Sequence, residues 1–157
     1  MNKLIFPFLI LGFLLTSCEN DDDVCVSGEA TPRLKIKFKS ADNKVLTLDS
    51  LYLDVDYGNN NVLTVVRAAK VDSALIPIRV DDAGFTELYV RKTKKGSVSK
   101  IKLNYNTTSE YVSPACGFKR LYQNLSGSLE TANPVTKVEL NQNQIINENK
   151  AHLYLVF

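Results

Sequence analysis

The sequence predicts an all-β fold, a single β-sandwich of Ig-like or Greek-key type with eight or nine short strands behind an N-terminal export signal. Three observations predict it. Apolar residues recur with a period of two in short stretches, the pattern of strands with one buried face. Clusters of Gly, Asn and Asp interrupt those stretches at short intervals. Beyond the signal, no segment sustains an apolar stripe of helical period. A small closed β-barrel is the alternative use of the same strands.

The first strand is the clearest. In Arg33-Leu34-Lys35-Ile36-Lys37-Phe38-Lys39 every second residue is apolar, so Leu34, Ile36 and Phe38 share one face and the four cations the other. Ala41-Asp42-Asn43-Lys44 reads as a turn. Leu46 and Leu48 keep one phase while Leu51, Leu53, Val55 and Tyr57 keep the opposite one, so Asp49-Ser50 must hold a bulge or a tight bend. Gly58-Asn59-Asn60-Asn61 turns the chain into residues 62–66. Residues 74–80 read as a strand whose Pro77 suits a sheet edge. Asp81-Asp82-Ala83-Gly84 and Thr93-Lys94-Lys95-Gly96 bound a strand over 85–92, and 98–105 alternates again. Further strands are expected at 115–123, 135–140 and 151–157, with His152, Tyr154 and Val156 on the face opposite Leu153, Leu155 and Phe157.

The N-terminus carries different information. Lys3 precedes a 12-residue apolar run over residues 4–15. That run is too short for a membrane span of roughly 20 residues and fits the core of a signal peptide. Leu15-Thr16-Ser17-Cys18 follows. It resembles the lipobox of bacterial lipoproteins, in which the thiol takes a diacylglyceryl group and a peptidase cuts just before the Cys. The expected organisation is therefore a signal at 1–17, a lipidated acidic tether at 18–32 with Cys18 as the lipid-bearing residue, and a β-domain at 33–157. Four of the 17 acidic side chains lie in Glu19-Asn20-Asp21-Asp22-Asp23, which leaves the domain mildly basic. So weak an excess, on an exported chain, gives no reason to expect a nucleic-acid partner.

Three Cys are present, and lipidation consumes Cys18. Cys25 and Cys116 then form an even pair in an oxidising compartment, which predicts a disulfide; two buried free thiols are the alternative. Closing a loop of that length would stabilise the fold by roughly 4–5 kcal/mol in the chain-entropy model.

Catalytic and metal chemistry finds little support. His152 is the only histidine, so any Ser-His-Asp or Cys-His site would have to use it. Its setting reads instead as a partly exposed strand position. One His and two paired Cys make no zinc site. Asp54 and Asp56 share a strand face at a separation of roughly 6–7 Å, which would suit paired carboxylates. Cross-strand pairing with the lysines of 33–39 explains them more simply. No cofactor, metal or enzymatic activity is expected. The basic stripe Arg33, Lys35, Lys37 and Lys39 is a candidate contact for anionic glycan or lipid headgroups; as a plain exposed face, its lysines would discourage edge pairing. The chain has seven Tyr and no Trp, a poor composition for a sugar-stacking platform.

The chain also resembles a family of small Bacteroidota outer-membrane lipoproteins classed as a domain of unknown function. The resemblance rests on the lipobox with its acidic run and on Cys25 shortly before Thr31-Pro32-Arg33-Leu34. Ser113-Pro114-Ala115-Cys116-Gly117 and the closing Asn147-Glu148-Asn149-Lys150-Ala151-His152-Leu153 complete it. It implies no activity. In that setting residues 19–23 resemble a surface-export signal. Asp49-Ser50-Leu51 and Asp72-Ser73-Ala74 resemble an O-glycosylation pattern, which makes Ser50 and Ser73 candidate acceptors. The expected function is a membrane-anchored, non-catalytic binding or accessory module of the cell envelope. Its partners would be the membrane, through the lipid, and an envelope glycan or protein complex. A lipocalin-like carrier barrel is the alternative.

Overall fold

The computed structural model describes residues 30–157. Nine strands follow one another with no helix among the described residues: β1 Leu34–Lys39, β2 Leu48–Asp56, β3 Val62–Val71, β4 Ser73–Ile76, β5 Phe85–Arg91, β6 Ser99–Ser113, β7 Gly117–Thr131, β8 Lys137–Leu140 and β9 Leu153–Val156. They form a four-stranded sheet ordered β4-β1-β9-β8 and a five-stranded sheet ordered β3-β2-β5-β6-β7. The sheets do not close on one another, so the arrangement is the sandwich and not the barrel. All pairings are antiparallel except β1 with β9.

The core lies between the sheets and follows the alternation. Leu34, Ile36 and Phe38 of β1 meet Leu51, Leu53 and Val55 of β2, Leu88 and Val90 of β5, Ile101 and Leu103 of β6, and Leu153 and Leu155 of β9. Gly127 of β7 packs tightly against β8 of the other sheet and its own neighbour β6. A Cβ built there would lie 3.1 Å from Val138 Cγ1 and 3.4 Å from Leu103 Cδ2. Pro77 directly follows β4, an outer strand of its sheet, where its missing N–H costs no ladder bond.

The expected phase change in β2 is present, since Leu48 and Leu51 are both buried with Asp49 exposed between them. No residue is inserted there: Leu48 pairs with Val71 and Ser50 with Ala69. The irregularity falls on the partner strand, where Lys70 has φ +48°. A register shift in this pair comes later, between Leu53 and Asp54. In β7 a second phase change brings both Tyr122 and Leu125 inward. It coincides with a register shift opposite Asn104 and Asn106 and with Asn124 at φ +54°.

Two strands are much longer than the alternation suggests. β6 continues from Tyr105 to Ser113, and β7 from Gln123 to Thr131. β5 begins at Phe85, which pairs with Asn104, so residues 106–113 pair only with β7. The β6–β7 hairpin therefore projects beyond β5 as a two-stranded ribbon.

Candidate functional site

The basic stripe of β1 lies against the segment that precedes β9. Arg33 makes a two-pronged contact with Glu148, Nε to Oε1 at 2.8 Å and Nη2 to Oε2 at 2.8 Å, and its backbone N–H donates to the same carboxylate. The guanidinium holds the Glu148 carboxyl below its ordinary pKa. Lys35 Nζ donates to the Glu148 carbonyl at 2.9 Å. Lys39 pairs with Glu139 at 2.9 Å and lies 4.2 Å from the centre of the Tyr154 ring. Among the described residues, only Lys37 of the four has no such partner. The stripe is therefore mostly engaged within the fold. An open groove of about 560 Å³ runs between residues 30–33 and 146–149 and is crossed by the Arg33–Glu148 pair.

His152 is wholly buried, not partly exposed. It stands one residue before β9, a strand flanked on both sides, and its backbone is engaged in both directions. Its N–H donates to Lys35 O at 2.8 Å, and its carbonyl accepts from Asn141 at 2.8 Å. Its Nδ1 accepts the Lys35 N–H at 2.8 Å, which makes the ring a backbone clasp. Nε2 is buried without a hydrogen bond. Burial lowers the imidazole pKa, opposed by the Asn147 backbone and the Glu148 carboxylate. The ring is thus engaged through Nδ1 with the Lys35 backbone and closed off from solvent.

Asp54 and Asp56 do not meet the β1 lysines, because β1 and β2 belong to different sheets. Asp54 pairs with Arg91 of the adjacent β5 and accepts from Thr64 Oγ1 at 2.6 Å. Asp56 accepts the Gly58 N–H at 2.7 Å and so shapes the turn after β2. The hydroxyl of Ser50 donates to the Lys92 carbonyl, and that of Ser73 to Asp72 at 2.9 Å. No three His, Cys, Asp or Glu side chains among the described residues stand together as a metal-binding group.

A buried polar cluster escaped the sequence reading. Thr86 Oγ1 and Tyr105 Oη are 2.6 Å apart, and the Arg79 N–H donates to Thr86 Oγ1 at 3.1 Å. Tyr122 Oη donates to Arg79 O at 3.2 Å, and Tyr57 Oη to Pro77 O at 2.8 Å. Tyr105 of β6, Tyr122 of β7 and Tyr57, which directly follows β2, thus bind the connection from β4 to β5. The signal was available in the inward phase of Tyr105, since a buried phenol needs a partner.

Cys116 lies in the turn of the β6–β7 hairpin, where its N–H donates to Ser113 Oγ at 3.1 Å. Beside it, Tyr111 and Phe118 are register partners packed edge to face at 5.4 Å, yet 57% and 69% exposed. The Arg120 N–H donates to Thr31 Oγ1 at 2.9 Å, so the described chain begins alongside this ribbon. Cys18, Cys25, the signal at 1–17 and the acidic run at 19–23 lie outside the described residues.

A model of a family of unknown function, DUF6452, matches residues 47–157. No curated protein and no solved structure matches the chain.

Proposed function

The chain belongs to the DUF6452 family, and from that premise we propose that it is a lipid-anchored module of the bacterial cell envelope, binding or accessory rather than catalytic. The observation that carries this reading is the sequence Leu15-Thr16-Ser17-Cys18 behind a 12-residue apolar run. The spacing suits export followed by thiol lipidation. The burial of the only histidine and the pairing of Asp54 with Arg91 support a non-catalytic role, because they commit to the fold the side chains catalysis would need. Cys25 and Cys116 form the proposed staple between tether and hairpin. The Thr31–Arg120 bond supports it, since it starts the described chain beside the strand that follows Cys116. The acidic run at 19–23 serves as a sorting signal toward the outer membrane and the cell surface.

The test is metabolic labelling with palmitate of the wild type and a Cys18→Ser variant. The wild type takes label and partitions into detergent; the variant does neither and accumulates as precursor. Label retained by the variant overturns the reading. Intact mass of the unreduced mature protein after alkylation reports the staple, and two alkylated thiols would remove it.

A further inference from the structure

We propose that the projecting tip of the β6–β7 hairpin seats in the interface of the bilayer that holds the lipid anchor, with Tyr111 and Phe118 as the inserted pair. The inference rests on the lipoprotein reading and adds to it a contact surface and an orientation.

Tyr111 and Phe118 stand opposite each other near the free end of a ribbon that no other named strand flanks there. At about 3.3 Å per residue, residues 106–113 carry them up to about 25 Å beyond the β5 partner. Their rings pack on each other, and each residue is more than half exposed. A paired aromatic cluster at a protruding tip is a costly surface for water and a favourable one for a bilayer interface. There the ring bodies meet acyl chains and a phenol reaches the headgroups.

The ribbon has two unlike faces. Alternation places Ser109 and Arg120 on the aromatic face, bonded to each other through Arg120 Nη1 at 2.8 Å. The next pair toward the tip, Glu110 with Lys119, lies on the opposite face and closes its own ion pair at 3.0 Å. The aromatic face therefore carries a guanidinium behind the rings, at a depth suited to lipid phosphate, and no carboxylate of its own strands. Arg120 also reaches Asp82 at 3.4 Å, so its charge is shared but not consumed by a close pair.

Chain length and entry point decide for a membrane over another occupant. Thr31 is bonded to Arg120, two residues from Phe118. Thirteen residue steps separate Thr31 from Cys18, a reach of at most about 45 Å. Through the proposed Cys25–Cys116 staple the leash shortens to seven steps, about 25 Å. With that staple closed, the lipid is held within about 25 Å of the hairpin turn that bears the exposed rings. Val45, 72% exposed, bridges back to Lys39 at the other end of β1.

The absence of Trp gives a clean test. Full-length lipidated protein carrying Phe118→Trp is reconstituted into phosphatidylethanolamine–phosphatidylglycerol vesicles, with Val45→Trp as the reference. Both positions are exposed, so neither change disturbs the core. Expected is a shift of the Phe118→Trp emission to shorter wavelength, with several-fold stronger quenching by brominated acyl chains than for Val45→Trp. Lipidated protein in which both tryptophans stay equally exposed overturns the hairpin inference alone. Failure of lipidation overturns the anchor and the inference together. A lipid-free form starting at residue 19 that already shows the shifted emission also overturns it. Concentration dependence of that shift would then assign the shelter to a second copy, and its absence to the chain's own tether.

Discussion

The Tyr122 hydroxyl donates a 3.2 Å hydrogen bond to the backbone carbonyl of Arg79, which ties β7 to the chain that passes from one sheet to the other. Tyr122 is wholly buried, and its ring meets Tyr105 edge to face at 5.0 Å. Burial raises the pKa of both phenols, so each remains a neutral donor. The crossing segment also carries Ile78 into the core, so the hydroxyls fix a connection whose own strand pairing has ended.

Tyr122→Phe is expected to cost about 1 kcal/mol, the net worth of one hydrogen bond. Tyr122→Ala should cost about 3–5 kcal/mol through the cavity it opens between the sheets. Urea unfolding of the two variants separates the contributions. No loss in Tyr122→Phe would mean that the hydroxyl fixes nothing and that the ring alone matters.

The approach of the two layers at Gly127 gives a second expectation. Its missing side chain leaves room for Val138 Cγ1, Leu103 and Leu153. Gly127→Val should destabilise by about 1–3 kcal/mol, the usual cost of overpacking. Combining it with Val138→Ala should cost less than the two single changes added together, because the smaller residue vacates the overlap. Strict additivity in a double-mutant cycle would place the strain elsewhere.

What could be read from the sequence was what one buried face dictates. β1, β2, β5 and the first half of β6 were legible because Leu34 to Phe38, Leu51 to Val55, Thr86 to Val90 and Ile101 to Tyr105 all alternate against a core. The far half of the hairpin was not. Asn106-Thr107-Thr108-Ser109-Glu110 has little core to face, so its pairing is set by hairpin register and leaves no hydrophobic period. His152 was misread for a related reason. Its polarity suggested the outer face, but the polar loop at 141–149 and the Lys35 backbone cover it, and burial of that kind comes from tertiary packing. The Asp54–Arg91 partnership depended on which strands share a sheet, which alternation alone does not specify.

The buried imidazole makes stability sensitive to mild acid. Its folded pKa is lowered, so the unfolded chain takes up the proton first as pH falls. Stability from the neutral ring is therefore fully present above about pH 6.5 and declines as pH drops below it, with a slope of at most about 1.4 kcal/mol per pH unit for one proton. The groups facing the ring are Lys35, Asn147 and Glu148, and the first opposes protonation while the other two favour it. Carboxylates act in a lower window. Lys137 and Lys39 hold Glu139 at about 2, and Arg33 and Lys100 hold Glu148 and Glu87 below their ordinary values. Their contribution is present above about pH 4.5 and is lost only as pH falls toward their folded pKa values. His152→Asn should lower stability at neutral pH, since the Lys35 N–H loses its fitted acceptor, and should flatten the profile between about pH 7 and 5 while leaving the lower step in place. Unfolding free energies measured across both windows check this. A wild-type profile already flat above pH 5, or a His152→Asn variant with the same slope as the wild type, would remove the imidazole from the account and leave the acid response to the carboxylates.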